Sequence, residues 1–390
     1  MLHAIAVALL NLLGRRATTA ARRTNPWIAR RLAEPRTIVV TRLQCLGDMI
    51  VFLPTLAALR RAYPRAHVTL LTKHATGDQL VRGCPLVDEV INLGQAGWRD
   101  KWRVFGALRR RRVDLFLISS QELGRVPWAL ASAARVIVGF RAAPGRSKMV
   151  HEKLPGLLSL PLTYDLESTE AENNLQLVAA LTGRDTPLER VPISWCPPQQ
   201  RASAERMLLE VGIDPCRPIV VLSTGAKAAS KLWPLERFAE LAQRLEAEHG
   251  AQIVFTGGPN EQATLQALID RHDASWKNLA GRWNVQQFAA ALGHCSLLIT
   301  VESGPVHIGD AMNLPMVVLS GPTDLRRWRP TVGDPARQII INKNSPCAPC
   351  AHVSCPLPRH ACMLDISIDE VVAAAAQLFA KQIAPKNAAA

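Results

Sequence analysis

The sequence predicts an α/β protein built as two doubly wound domains, each a parallel sheet covered by helices. Three observations predict it. Short, apolar, β-rich segments alternate with helical ones through most of the chain, the pattern of parallel strands joined by crossover helices. The alternation breaks around Gly183 to Gln200, where GRDTPLERVPISWCPPQQ is rich in Pro and polar residues, and then resumes. The two halves also open alike. IVVTR, a loop, a helix and AHVTLLT begin the first, and IVVLS, a loop, a helix and AQIVFTG begin the second. A chain of 390 residues has the length for two ordinary domains.

Residues 1–35 read as an amphipathic leader. Its apolar run in MLHAIAVALLNLLGRRATTAARR is too short to span a bilayer. Arg15, Arg16, Arg22 and Arg23 follow that run, whereas a signal peptide carries its charges before it. That order keeps the following chain on the cytoplasmic side. A short interfacial helix is the expectation, with an uncleaved signal as the alternative.

The first domain is expected over 36–185. TIVVTRL (Thr37 to Leu43) is its first strand, followed by QCLGD and a helix with Ile50, Leu53, Leu56, Ala57 and Leu59 on neighbouring turns. HVTLLT, EVINL, DLFLIS and RVIVGF are further strands, with helical stretches such as KWRVFGALRRRR between them. After a linker over 186–200, the second domain is expected over 201–385. A helix from Arg201 to Val211 opens it, and IVVLS, QIVFTG, LLITV, MVVLS and QIIIN are its strands. LERFAELAQRLEAEHG places Leu235, Phe238, Leu241, Ala242 and Leu245 on one helix face. NVQQFAAALGHC carries a capping box from Asn284 to Gln287. The tail after Lys381 is Ala-rich and expected to fray.

Apolar residues make up 48% of the chain and aromatics 5%, enough for two cores and against a disordered chain. The net charge of +14 favours an anionic partner: nucleic acid, an acidic lipid surface or a phosphorylated substrate. Arginines cluster in LRRRRV (Leu108 to Val113) and at Arg135, Arg141 and Arg146. They suit an anionic acceptor or membrane, or simply a solvated helix face. Nucleic acid is disfavoured, because aromatics are few and none interleaves with these arginines.

In open α/β sheets, ligands sit beyond the C-terminal ends of strands, and three such ends carry polar chemistry. In RLQCLGDMIVFLP, Asp48 is either an ordinary helix N-cap behind a Gly47 turn or a carboxylate placed to take a proton from an attacking hydroxyl. No GxGxxG follows this strand, which excludes the dinucleotide fingerprint. In STGAKAASKLWPLERF, Lys231 stands just before a helix N-terminus, where a cation is a poor dipole partner unless an anion lies beside it. Ser223 and Thr224 add hydroxyls for a diphosphate. The Walker A spacing is absent. In VESGPVHIGDAMNLPMVVLSGPT, Ser303 and Gly304 open a helix whose first N–H groups need a partner, which Ser303 alone could supply. His307 is either packed or part of a site, and Glu302 either solvated or a partner for sugar hydroxyls.

A fourth constellation, CAPCAHVSCPLPRHACM, holds Cys347, Cys350, Cys355 and Cys362 with His352 and His360. A structural zinc, free thiols and a disulfide formed on oxidation all stay open. The other five cysteines are scattered singly, as in a reducing compartment.

Together these segments resemble glycosyltransferase family 9, the bacterial lipopolysaccharide heptosyltransferase family. The resemblance is carried by R-x-x-x-x-GD-x-x-x-x-x-P at Arg42 to Pro54, K-x-WP at Lys231 to Pro234, TGG at Thr256 to Gly258, and ESGPVH…A-x-x-x-P…GPT at Glu302 to Thr323. The cysteine pattern also looks like that of many members, and the resemblance runs from about Arg36 to Val372. It implies a GT-B architecture, two Rossmann-like domains facing across a cleft. It implies inverting, metal-independent transfer without a cofactor, commonly of heptose from ADP-heptose, to an anionic lipopolysaccharide core acceptor. It further implies a cytoplasmic enzyme, peripheral at the inner face of the inner membrane. By resemblance, Asp48 is the general base. Lys231, Ser223, Thr224, Glu302, Ser303, Gly304 and His307 hold the donor, and Arg42 and Arg141 the acceptor, with no metal. One departure stands out: the acid before Gly-Pro-x-His is usually Asp, and here it is Glu302. The rival readings are a nucleotide-sugar epimerase of the same build and a non-catalytic protein that binds anionic membranes.

Overall fold

The structure is a computed structural model that describes residues 32–42, 45–119, 125–140, 157–350 and 352–383. Most of the expected leader, Arg141, Arg146 and the tail from 384 lie outside the described residues. The chain divides into two compact units between Glu189 and Arg190.

The first unit holds a six-stranded sheet made of β1 (Thr37–Thr41), β2 (His67–Thr72), β3 (Glu89–Asn92), β4 (Leu115–Ile118), β5 (Val136–Phe140) and β6 (Leu160–Leu162). The second holds β7 (Ile219–Ser223), β8 (Gln252–Thr256), β9 (Lys277–Asn278), β10 (Leu297–Val301), β11 (Met316–Ser320) and β12 (Gln338–Asn342). The spatial orders are β3-β2-β1-β4-β5-β6 and β9-β8-β7-β10-β11-β12. Every pairing is parallel. Both units are therefore doubly wound with the same strand order, as expected. In each, the chain winds one way from its first strand and crosses back to start again on the other side. Those switch points, between β1 and β4 and between β7 and β10, are where such folds leave a crevice for ligands.

The central strands are apolar on both faces because helices cover both. Val39 and Val40 of β1 and Val220 and Val221 of β7 are fully buried. The helix Leu235–His249 sets Phe238, Leu241, Ala242 and Leu245 into the second core and stops at Gly250, whose left-handed φ of 60° ends it. Ahead of it Trp233 is buried, donating from Nε1 to the Ile366 carbonyl at 3.1 Å and packing edge-on to Phe238. The Trp-Pro pair thus pins the helix start that follows Lys231. The Asn284–Gln287 capping box forms as read, with the Asn284 side chain accepting from Gln287 N.

Two strands escape the sequence pattern, β6 and β9. Each stands at the edge of its sheet and is short, and β6 contains Pro161, which a sheet tolerates only at its edge. Among the described residues, no helix is long and apolar enough to cross a membrane.

Candidate functional site

Polar chemistry gathers at both switch points. In the first unit, Arg42 follows β1 and is buried, with no side-chain exposure. Its Nε donates to the Asp48 carbonyl at 2.9 Å and its Nη2 to Asp48 Oδ1 at 3.0 Å. Nη1 reaches the Ser119 carbonyl just past β4 at 3.1 Å, and both terminal nitrogens reach Glu170 Oε1 at 3.1 Å. Tyr164 donates to the other Glu170 oxygen at 2.6 Å, and Phe52 lies against the guanidinium, 5.6 Å from it. A guanidinium has five N–H donors, and these contacts engage all of them. Arg42 is expected among the acceptor contacts. The structure corrects that: burial and this bonding turn it inward, where it fixes Asp48.

Asp48 lies within the short helix Leu46–Ile50, and the N-cap is Cys45 rather than Asp48. Ordinary capping therefore does not account for this acid. Its side chain keeps 17% exposure at the C-terminal edge of the sheet while one oxygen is held by Arg42. A carboxylate held rigidly and still open to solvent can accept a proton from a hydroxyl brought to it.

In the second unit, Lys231 ends a one-turn helix (Ala229–Lys231) in the loop after β7, and Glu302 directly follows β10. The two form a salt bridge across the switch point, with Lys231 29% exposed and Glu302 6%. Thr323, in the loop after β11, donates to the same Glu302 oxygen at 2.6 Å. Glu302 is thus neither solvated nor idle. It ties together the loops after three neighbouring strands, and its amide continues the sheet by donating to the Leu319 carbonyl at 2.9 Å. The carboxylate holds the lysine in one place at the strand ends, with its ammonium still partly open to solvent.

Ser303 occupies the N-cap of the helix Gly304–Met312, yet its hydroxyl turns back to the Val301 carbonyl at 3.2 Å and caps nothing. The helix start therefore keeps its N–H groups clear of a side-chain cap. His307 is buried one turn on, edge to face with Trp328 at 6.2 Å. Ser223 and Thr224, at the end of β7, are buried.

Two features went unread. Thr323 sits in the quoted GPT segment, and its signal was that a strand ends there. Glu261 sits beside TGG: its carboxylate accepts from Gly258 N at 2.7 Å. A Cβ on Gly225 would fall 2.0 Å from Glu261 Oε1, and one on Gly257 2.7 Å from Oε2. Those glycines let one acid lie against the loops after β7 and β8.

The four clustered cysteines are unbridged. With His352 and His360 they line a cavity of about 150 Å³ against Ser230 and Pro322. Among the described residues, no group of three or more His, Cys, Asp or Glu is set to hold a metal ion. The segment also grips the lysine loop. Ser230 donates to the His352 carbonyl at 2.6 Å and to the Val353 carbonyl at 2.9 Å, and Cys350 N donates to the Pro322 carbonyl at 3.0 Å. Burial, then the neighbouring thiols, raise the Cys362 thiol above its ordinary pKa. Of the arginines singled out in the first half, Arg135 is paired with Asp114 at 2.6 Å.

Known proteins resemble this chain in sequence and fold. The sequence pattern of glycosyltransferase family 9 (heptosyltransferase) matches residues 102–361. The chain is 26% identical to lipopolysaccharide heptosyltransferase 2 of Escherichia coli over 78% of this chain and 88% of that one. It is 28% identical to lipooligosaccharide heptosyltransferase 2 of Campylobacter jejuni over 40% of this chain, a match that spans about half (50%) of that relative's length. Among solved structures, a family 9 glycosyl transferase from Veillonella parvula superposes with a TM-score of 0.76 at 22% identity, covering 89% of this chain and 98% of that one. An E. coli heptosyltransferase solved with ADP has a TM-score of 0.64 at 17% identity, covering 89% and 99%. Since the family pattern spans well over half of its length, the chain belongs to glycosyltransferase family 9, the heptosyltransferase family.

Proposed function

We propose that this protein is an inverting glycosyltransferase that moves heptose from ADP-heptose to an acceptor of the lipopolysaccharide core. Family membership favours this over an epimerase or a non-catalytic membrane binder. The observation that carries the reading is the Lys231–Glu302–Thr323 cluster at the second switch point, beside a helix start without a side-chain cap. It suits a nucleoside diphosphate: a partly exposed cation and free N–H groups meet the anion's oxygens. ADP bound to a relative of the same fold agrees with that choice of nucleotide.

In the reaction, Asp48 takes the proton of the acceptor hydroxyl. That oxygen attacks the anomeric carbon opposite the leaving group, a new C–O bond forms, and the bond to the diphosphate breaks. Lys231 and the N–H groups at Ser303 and Gly304 take up the charge that develops on the departing ADP. Arg42 holds Asp48 in one rotamer, and Arg42 in turn is held by Glu170. No step needs a metal or a cofactor. A lipid-anchored core acceptor places the enzyme at the cytoplasmic face of the inner membrane.

A panel of ADP, UDP, GDP and CDP tests the donor assignment through the thermal midpoint, which a ligand of the folded state raises. Stabilisation by ADP, followed by heptose transfer from ADP-heptose with inverted anomeric configuration, is the expected result. Preference for UDP or GDP discards ADP-heptose.

A further inference from the structure

We propose that the exposed side of the helix Trp98–Arg110 is a docking surface for an anionic phospholipid bilayer. The purpose of this surface rests on the lipid-anchored acceptor proposed above; the observations do not.

The helix reads WRDKWRVFGALRR. Phe105 and Leu108 turn inward against Val39, Phe116 and Ile118 of the first core. At 100° per residue, Trp98, Trp102 and Arg109 fall within about 40° of one another, on the flank beside the inward Phe105, between the buried stripe and the solvent face. Trp98 is 69% exposed and Trp102 63%, and they are the only exposed aromatic side chains among the described residues. Arg99, Arg103 and Arg110 flank them, all exposed. Arg103 pairs with Asp100, the helix's one acid, and Arg111 beyond its end pairs with Glu89. Arg99, Arg109 and Arg110 have no carboxylate partner among the described residues, and Arg99 lies over the Trp98 ring at 5.3 Å.

Burying two indoles on one face would be an ordinary way to complete a core. Leaving both in water beside unpaired arginines has no folding rationale. The combination has the chemistry of a bilayer interface. Indole rings settle at headgroup depth, with apolar rings in and N–H groups wet. Guanidinium groups bind lipid phosphates and are drawn to an acidic leaflet. The arginine cluster from Leu108 to Val113 contains no aromatic, but the helix that leads into it carries Trp98 and Trp102, ten and six residues before Leu108. Position supports the assignment. The helix begins just after β3, and because all strands run parallel, its Trp98 end lies toward the sheet edge that presents Asp48. Docking there holds that edge close to an acceptor anchored in the same leaflet.

The test uses the full chain and sedimentation with vesicles of phosphatidylcholine, with and without phosphatidylglycerol. Two variants are compared, the double Trp98→Ala/Trp102→Ala and the triple Arg99→Gln/Arg109→Gln/Arg110→Gln. Wild type is expected to prefer the anionic vesicles and to release at high salt. Each variant should partition roughly ten-fold or more weakly, with its thermal midpoint unchanged. Transfer to a short soluble acceptor should be unchanged, and transfer to a vesicle-embedded one reduced. Variants that partition like wild type overturn the proposal. So does equal binding to neutral vesicles, or binding of single-stranded oligonucleotide in place of vesicles. If wild type transfers no sugar to the soluble acceptor, the reaction proposed above fails while the vesicle result still decides the surface.

Discussion

The two units share a strand order and a switch point, yet they hold their charges in opposite ways. In the first, the cation is inside: Arg42 is fully buried and locked between Asp48 and Glu170, and the carboxylate faces outward. In the second, the carboxylate is inside: Glu302 is buried, and Lys231 reaches toward solvent. One scaffold thus presents a carboxylate on one sheet and a cation on the other, simply by exchanging which partner is sunk into the fold. Equal topology sets where chemistry gathers, and the buried partner sets its sign. A partly exposed acid suits proton removal, and a partly exposed cation suits a diphosphate.

The comparison can be broken from its strongest point downward. Asp48→Asn should lower kcat for transfer by about 10²–10⁴-fold, the usual worth of a general base; steady-state kinetics with saturating donor check it. Arg42→Met should cost about 3 kcal/mol or more of stability, because it leaves Asp48 and the buried Glu170 without their cation. The midpoint of urea unfolding measures this. If the same variant loses only activity, Arg42 is not the anchor described here. Lys231→Ala should weaken ADP by about ten-fold or more, and should also lower the unfolding midpoint, because buried Glu302 loses its cation and keeps only the Thr323 hydroxyl. Thr323→Val, at the bottom of the scale, should cost about 1 kcal/mol, an ordinary hydrogen bond.

Alkaline pH sharpens the comparison further, because each unit buries protonated groups. Burial pushes the Cys84 thiol from 9.0 to about 11 and the Tyr63 hydroxyl from 10.0 to about 12 in the first unit. It pushes the Cys295 thiol from 9.0 to about 12 in the second. Raised folded values mean that the unfolded chain ionises first. The stability they contribute is complete below about pH 9 and is lost as pH rises toward 12. Thermal midpoints should fall over that window, and Cys295→Ala should flatten the fall.

Much of this was legible because buried parallel strands are apolar on both faces. TIVVT, IVVLS and MVVLS cannot be mistaken for surface segments, and the helices between them repeat at the right period. The short edge strands were not legible, since LPL and KN bury too little to leave a pattern. At the candidate site, strand-end position picked out Asp48, Lys231 and Glu302. It did not reveal that Arg42 points inward, because an arginine at a strand end looks alike whether it meets a ligand or a buried acid such as Glu170, 128 positions away in sequence. Thr323 and Glu261 escaped for the same reason. Their roles depend on loops brought together by the sheet, and no local pattern records such a meeting.

The most direct measurement is a calorimetric titration of ADP into wild type, Asp48→Asn and Lys231→Ala. The account predicts wild-type affinity for Asp48→Asn and clearly weaker binding for Lys231→Ala, since it assigns the nucleotide to the second unit alone. Loss of ADP affinity in Asp48→Asn, with Lys231→Ala binding like wild type, would contradict it.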